Sequence, residues 1–291
     1  MAQLKLVWQS KLVLLLVLPA VAASVVLETH WWAEQMAPVA IWTIGLSLVL
    51  GLVALETHSS TLGGAAAGAA VMASLMFSTV IVPYLPWQTA LPPVLMVLLL
   101  TSVATRVGRG RKEELGIAER KEGRAASQVA ANLGFAALVT GPLVQSWLSE
   151  ANWLPKATLT PMPGFALGLA ALAEAAADTL SSEIGQVLGG RPRMITTLRY
   201  ADPGTDGAVS PAGTLAGVAS AGLVAVAGSV AMHGGPAMVW ISWSGGVFGL
   251  FFDSLLGATF ERRGWLNNDM VNFLSTAGAA AFAFAVMASL R

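Results

Sequence analysis

Residues 163–185 read PGFALGLAALAEAAADTLSSEIG. The stretch begins as Gly, Ala, Leu and Phe and closes on carboxylates, Glu174, Asp178 and Glu183. Whether it is a soluble helix or a membrane span decides the fold, and the rest of the chain decides between them. The protein has 291 residues, of which 55% are hydrophobic and 11% charged, with no cysteine. Soluble domains carry about a quarter charged residues, so this composition belongs to a polytopic membrane protein. The absence of cysteine excludes disulfide scaffolds and Cys-ligated metals or clusters. Formal net charge is zero, so the information lies in where the charges stand.

A helix crossing the hydrocarbon needs about 20 mostly apolar residues. Candidate spans lie at 12–27, 38–55, 62–82, 91–107, 125–148, 163–180, 212–232, 236–257 and 270–290. The expected fold is therefore an all-α transmembrane bundle of about nine spans, residues 1–291 forming one integral membrane domain. Lys11 and the following LVLLLVLPAVAAS resemble a secretory signal, but apolar character resumes at once, and an uncleaved first span is expected. Trp31, Trp32, Trp87, Trp147 and Trp153 sit at predicted span ends, as interfacial anchors do. With the N-terminus inside, fourteen of the sixteen Lys and Arg residues fall on the inner side, most of them in loops 106–124, 181–211 and 258–269. That asymmetry predicts a cytoplasmic N-terminus in a multi-pass protein of the cell membrane.

Ionisable residues within spans are candidates for function. Glu174 and Asp178, four apart, share a helix face, whereas Glu183 points elsewhere unless the helix ends or bends near Ser181–Ser182. Asp253 lies at a similar depth on another span, in a weak echo of the same Asp-[Ser/Thr]-Leu pattern. Glu174 alone reads as a carboxylate that reaches cytoplasmic water. Asp178, Glu183 and Asp253, with hydroxyls from Thr179, Ser182 and Ser254, read as an oxygen-only site suited to Mg²⁺ and not to zinc or copper.

The segment TRVGRGRKEELGIAERKEGRAASQVAANLG carries Lys112, Lys121 and Arg124, then Gln128 and Asn132 on one helix face. Such a loop is often only a solvated positive-inside loop, but beside a metal site its cations would hold phosphates. The two amides serve equally well as helix–helix glue or as ligand contacts. A third segment, RPRMITTLRYADPGTDGAVSPAGT, brings Arg193, Gly204, Thr205, Asp206, Gly207 and Ser210 ahead of a helix start, where backbone N–H groups and the dipole favour anions. In WLNNDMVNF, residues 265–273, Asn267 and Asn268 stand where helices take N-caps. No P-loop, nucleophile elbow, zincin or kinase signature is present, and His30, His58 and His233 have no partner at metal-ligand spacing.

GRAASQVAANLG, AAADTLSSEIG, ITT, DPGTDGAVSPAGTLAG, GLFFDSLLGATFER and NNDMVNF occur in this order. Together they resemble the integral membrane family known as domain of unknown function 92, which includes plant and cyanobacterial phytyl-phosphate kinase and animal transmembrane protein 19. The resemblance covers roughly residues 40–290. It implies transfer of the terminal phosphate of a nucleoside triphosphate, CTP by similarity to neighbouring kinases, to an isoprenoid monophosphate. Carried over by position, it implies that Asp178, Glu183 and Asp253 are catalytic and hold Mg²⁺. It further implies that the nucleotide and phosphates meet Lys112, Lys121, Arg124, Gln128, Asn132, Arg193, Gly204, Thr205, Asp206, Gly207, Ser210 and Asn268. Arg106 stands where many relatives carry Lys. No nucleic-acid partner is expected. The principal rival is a transporter, which uses carboxylates near the bilayer centre; clustering of charge at one membrane face favours an enzyme. A phosphatidyl-alcohol transferase would show several Asp in one helical motif, which this chain does not.

Overall fold

The computed structural model describes residues 7–114, 116, 123–150 and 163–290. The helices are α1 (Val7–Gln35), α2 (Ala37–Glu56), α3 (Leu62–Phe77), α4 (Leu91–Arg106) and α5 (Arg109–Glu114). They continue as α6 (Ala126–Thr140), α7 (Pro142–Glu150), α8 (Pro163–Leu188), α9 (Pro211–Ala231), α10 (Gly235–Leu256) and α11 (Asn268–Ser289). Two short strands, β1 (Arg193–Met194) and β2 (Ala208–Val209), pair antiparallel between α8 and α9.

Every predicted span segment is helical, but the lengths revise the count. Five helices, α1, α2, α9, α11 and α10 with its extension to Glu261, are long and apolar enough to cross a membrane. The bent pair α6 and α7, 47° apart, makes a sixth if it is one span. Helices α3 and α4 have 16 residues each, roughly 24 Å at 1.5 Å per residue, short of the roughly 30 Å hydrocarbon core. Nine full crossings therefore do not follow from helix length alone.

Helix α8 is the axis of the bundle. Its 26 residues extend roughly 39 Å, and residues 164–177 are buried without a break. A helix apolar on all sides belongs inside a bundle. Helices α4, α6, α9, α10 and α11 pack around it. In lipid, helices associate through close packing of small residues rather than by hydrophobic exclusion from water, and the glycines of α9 and α10 supply it. A Cβ on Gly213 would lie 2.4 Å from the carbonyl oxygen of Ser181 and 3.1 Å from Cα of Gly185. At Gly246 a Cβ would stand 2.8 Å from Cβ of Ala173 and 3.1 Å from the backbone of Glu174. Because backbone lies at the Gly213 contact, Gly213→Ala must push α9 off α8. The expected loss is about 1–3 kcal/mol, read as a lower unfolding midpoint in detergent; an unchanged midpoint would contradict the close packing.

The functional segments converge on one end of the bundle. Gln9 donates to the carbonyl of Trp265 at 2.9 Å and accepts from the N–H of Asn267 at 2.8 Å, tying the start of α1 to the start of α11. Ser60 bridges Arg124 in parallel, with Thr61 N–H donating to the Arg124 carbonyl at 3.0 Å and Arg124 N–H to the Ser59 carbonyl at 3.1 Å. Gly123, at φ +76°, makes this approach possible, since a Cβ there would sit 2.5 Å from the Ser59–Ser60 backbone. Thr61, Ser210 and Asn267 cap α3, α9 and α11 by accepting from Gly64, Gly213 and Met270 N–H. Away from this end, α1 and α2 expose Leu15, Leu16, Ile41, Leu48, Val49 and Leu52, an apolar face suited to lipid.

Candidate active site

Among the described residues two cavities open at this end, one on each side of α8, and their linings have opposite charge. The first, about 260 Å³, lies where α8 and α10 end; Asp178, Asp206, Asp253 and Glu261 line it, with no Lys or Arg among the described lining residues. The second, about 250 Å³, lies among α2, α3, α4 and α6; Arg106, Arg109, Lys112 and Arg124 line it, with no Asp or Glu among the described lining residues.

The acidic cavity is built by α8, α10 and the loop between β1 and α9. Asp178 on α8 and Asp253 on α10 both line this cavity, where the two helices pack together. Oδ2 of Asp253 and Oε1 of Gln186 are buried with no hydrogen-bond partner among the described residues. Buried polar atoms are nearly always satisfied, so these two mark a place for a cation or a polar ligand. The roof is the DPGTDGA segment, residues 202–208, folded as two consecutive turns. Thr205 N–H donates to the Asp202 carbonyl at 3.2 Å and Ala208 N–H to the Thr205 carbonyl at 3.0 Å. Each turn places glycine third, Gly204 at φ +83° and Gly207 at φ +73°, which that turn position requires. The roof is seated on the π-helical turn Gly257–Glu261, where a Cβ on Gly207 would fall 2.3 Å from the Ala258 nitrogen. Gly207→Ala combines that clash with a left-handed backbone. We expect it to lift the roof and to reduce activity at unchanged expression, measured by turnover of the purified variant; normal turnover would detach the loop from the site. Partial desolvation raises the carboxyl of Asp206 above its ordinary range, and the charge of Arg262 pulls it back.

The sequence-predicted residues divide between the cavities. Asp178, Asp253, Gly204, Thr205, Asp206, Gly207, Ser210 and Asn268 all line the acidic one. Glu183 does not join them. Helix α8 runs unbroken to Leu188, so Glu183 emerges on another side and forms an ion pair with Lys112. The expected three-carboxylate cluster is thereby corrected: among the described residues no group of three or more His, Cys, Asp or Glu side chains is arranged to hold a metal ion. Two carboxylates with the hydroxyls of Ser182 and Ser254 still fit Mg²⁺, which is commonly held by one or two carboxylates plus substrate phosphates. The Thr179 hydroxyl donates to the Ala175 carbonyl at 3.0 Å and is turned away into its own helix.

Lys112 and Arg124 lie in the basic cavity rather than beside the carboxylates. Lys112 is 2% exposed, donating to the Ala104 carbonyl at 3.0 Å as well as to Glu183. Arg124 stands near the boundary, its charge acting on Asp178. Asn132 lines this cavity and accepts from Asn272 Nδ2 at 3.4 Å, so here the helix–helix reading of the amides applies. Gln128 caps its own helix, Oε1 accepting from Ala125 N–H at 2.8 Å, and lines neither cavity. Arg193 is turned outward against Tyr200, donating to its hydroxyl at 2.9 Å and stacking at 4.4 Å from the ring centroid. Its expected phosphate contact is corrected accordingly. Lys121 lies outside the described residues. Glu174 does not reach water, being 1% exposed between α10 and α11. Sequence reasoning missed Glu261 and Gln186, although Gln186 stands three residues after Glu183 and Glu261 eight after Asp253.

Fold and site together define an all-helical integral membrane protein with an acidic and a basic cavity side by side at one end of its bundle. The chain belongs to the integral membrane protein DUF92 family, whose profile matches residues 45–280. It is 44% identical over 108 residues to an uncharacterized membrane protein of Methanocaldococcus jannaschii, covering 37% of this chain and 45% of that protein. It is 33% identical over 213 residues to an uncharacterized membrane protein of Synechocystis, covering 68% and 74%. Protein VTE6, chloroplastic, of Arabidopsis thaliana is 28% identical over 180 residues, covering 61% of this chain and 52% of VTE6. The chain thus spans less than half of the first of these relatives and about half of the third. No solved structure matches the chain.

Proposed function

We propose that this protein is a membrane phosphotransferase converting an isoprenoid monophosphate to the diphosphate with a nucleoside triphosphate, CTP in the first instance. The observation that carries this reading is the segregation of charge across α8. Four carboxylates line one cavity with no cation among the described lining residues; they repel a bare polyphosphate and accept one as its metal complex. Four cations line the other; Arg109 pairs with Glu113 and Lys112 with Glu183, and this basic lining suits a phosphate that arrives without metal. The likeness to VTE6 and the motif resemblance to phytyl-phosphate kinases support the same reading.

In this reading Asp178 and Asp253 would hold Mg²⁺, which would supply charge neutralisation for the donor phosphates. The DPGTDGA turns cover the nucleotide side of the acidic cavity, and Gln186 and Asn268 offer it polar contacts. Arg124, fixed by its backbone pairing with Ser59 and Thr61, lines the basic cavity, and with its charge acting on Asp178 it would stabilise the charge that develops between the two cavities. An acceptor phosphate oxygen bonds to the terminal phosphorus of the donor as the bond from that phosphorus to its bridging oxygen breaks. A nucleoside diphosphate leaves. The acceptor is already anionic at neutral pH, so no residue need serve as general base. Lys and Arg placement supports a cytoplasmic N-terminus and a cytoplasmic site, and α1 starts at the same end as both cavities.

The test is incubation of purified protein with Mg²⁺, terminally labelled CTP and phytyl or geranylgeranyl monophosphate. Labelled prenyl diphosphate is expected. No labelled diphosphate with any nucleoside triphosphate and with several chain lengths would end the kinase reading.

A further inference from the structure

We propose that the basic cavity is the binding pocket for the acceptor lipid, and that Gly68 and Met72 on α3 gauge the length of its chain. This rests on the kinase reading for the identity of the lipid but on the cavity alone for its place. The cavity has two unlike ends. Its mouth carries Arg106, Arg109, Lys112 and Arg124 with the hydroxyls of Ser59 and Thr105. Below them the walls become apolar: Leu50 and Gly51 from α2, Ala69 and Met72 from α3, Val94 and Leu98 from α4. From Thr105 down to Val94 along α4 the lining runs eleven residues, roughly 16 Å at 1.5 Å per residue. A cationic mouth over an apolar shaft complements an anionic head on a single apolar tail. A nucleotide would leave the shaft unfilled, and an inorganic anion would leave it wet. A space of about 250 Å³ walled by α2, α3, α4 and α6 suits a single tail better than the two chains of a phospholipid.

The mouth also stands where transfer requires it. Arg124 lies at the border with Asp178, and Lys112 reaches α8 through Glu183, so a phosphate held there lies beside the acidic cavity. At the other end the lining reaches Met72 and Val94, both buried in the core. Gly68 lines the shaft above Met72, and a Cβ added there would meet only Cγ1 of Val129, at 3.8 Å. Space at Gly68 thus belongs to the cavity and not to a helix contact. An alanine fits there, and a leucine projects into the shaft.

The experiment pairs photo-crosslinking with chain-length profiling. Purified protein without nucleotide is labelled with a geranylgeranyl monophosphate carrying a diazirine near its tail, and the adducts are mapped by mass spectrometry. Adducts on α3 and α4 between Gly68 and Met72 and between Val94 and Leu98 are expected, competed by geranylgeranyl monophosphate and much less by CTP. Gly68→Leu is expected to weaken labelling by the twenty-carbon probe about tenfold while a ten-carbon probe still binds. Met72→Ala is expected to shift the preference toward longer chains, and Gly45→Ala, on α2 outside the lining where an added Cβ meets nothing within 4 Å, serves as the folded control. Adducts confined to the lipid-facing surfaces of α1 and α2, or an unchanged length profile in both Gly68→Leu and Met72→Ala, would overturn the pocket. Mapped adducts without diphosphate formation would uphold the pocket and remove the kinase reading. Diphosphate formation with adducts elsewhere would do the reverse.

Discussion

Asp253→Asn is expected to abolish prenyl diphosphate formation while the protein still folds. Asp253 presents a buried Oδ2 without a partner among the described residues and lines the acidic cavity with Asp178. An amide of the same shape keeps the packing but removes the charge that a hard cation requires. Losing one group that stabilises charge in the transferring phosphoryl lowers turnover by on the order of 10²–10³-fold, and loss of the metal would deepen that. Removing one of two neighbouring carboxylates also relieves repulsion in the ligand-free protein, so thermal stability is expected to hold or rise. Loss of activity with retained stability separates a functional carboxylate from a structural one. Turnover within threefold of the parent, measured with labelled nucleotide across a Mg²⁺ titration, would remove Asp253 from the site. Asp178→Asn is expected to behave in the same way.

The helical character of each segment was legible from composition and from the Gly, Pro and Asn punctuation, because an apolar run in lipid has few alternatives to a helix. The number of crossings was less legible. The apolar residues after α3 carry its predicted span to Val82, beyond its 16 helical residues, whereas the predicted span over α4, 91–107, is itself short. The Asp178–Asp253 pairing could be anticipated because the two acids lie at similar depth. The partner of Glu183 could not, since it depended on whether α8 bends at Ser181–Ser182, and close packing on Gly213 holds the helix straight there. Spacing left open whether the basic loop lies beside the carboxylates; the structure sets the two groups in separate cavities. Gln128 illustrates a limit of another kind. Its position three residues after Ala125 is the spacing of a capping contact, and the motif match obscured that plainer role.

The Lys112–Glu183 pair yields the second large effect. Lys112 is 2% exposed and Glu183 15%, so water screens the pair little. Glu183→Gln leaves the ammonium without its counter-charge, held by neutral oxygens that among the described residues include the carbonyls of Ala104 and Thr105. Removing one partner of a buried pair costs about 3–5 kcal/mol, and that loss is expected in equilibrium unfolding by SDS titration in mixed micelles. Lys112→Met should cost less, because Glu183 at the edge of α8 can turn toward water. The double substitution Lys112→Met with Glu183→Leu should recover most of the stability, since replacing a buried pair with apolar side chains is often neutral or favourable. Activity then separates the two roles of Lys112. If it only anchors α5 to α8, the double variant regains parental kinetics. Its place in the mouth of the basic cavity predicts instead that KM for the prenyl monophosphate stays raised by about tenfold, the loss of a charge-assisted hydrogen bond, while KM for the nucleotide is unchanged. Parental values for both substrates in a stable double variant would leave the lysine a purely structural post.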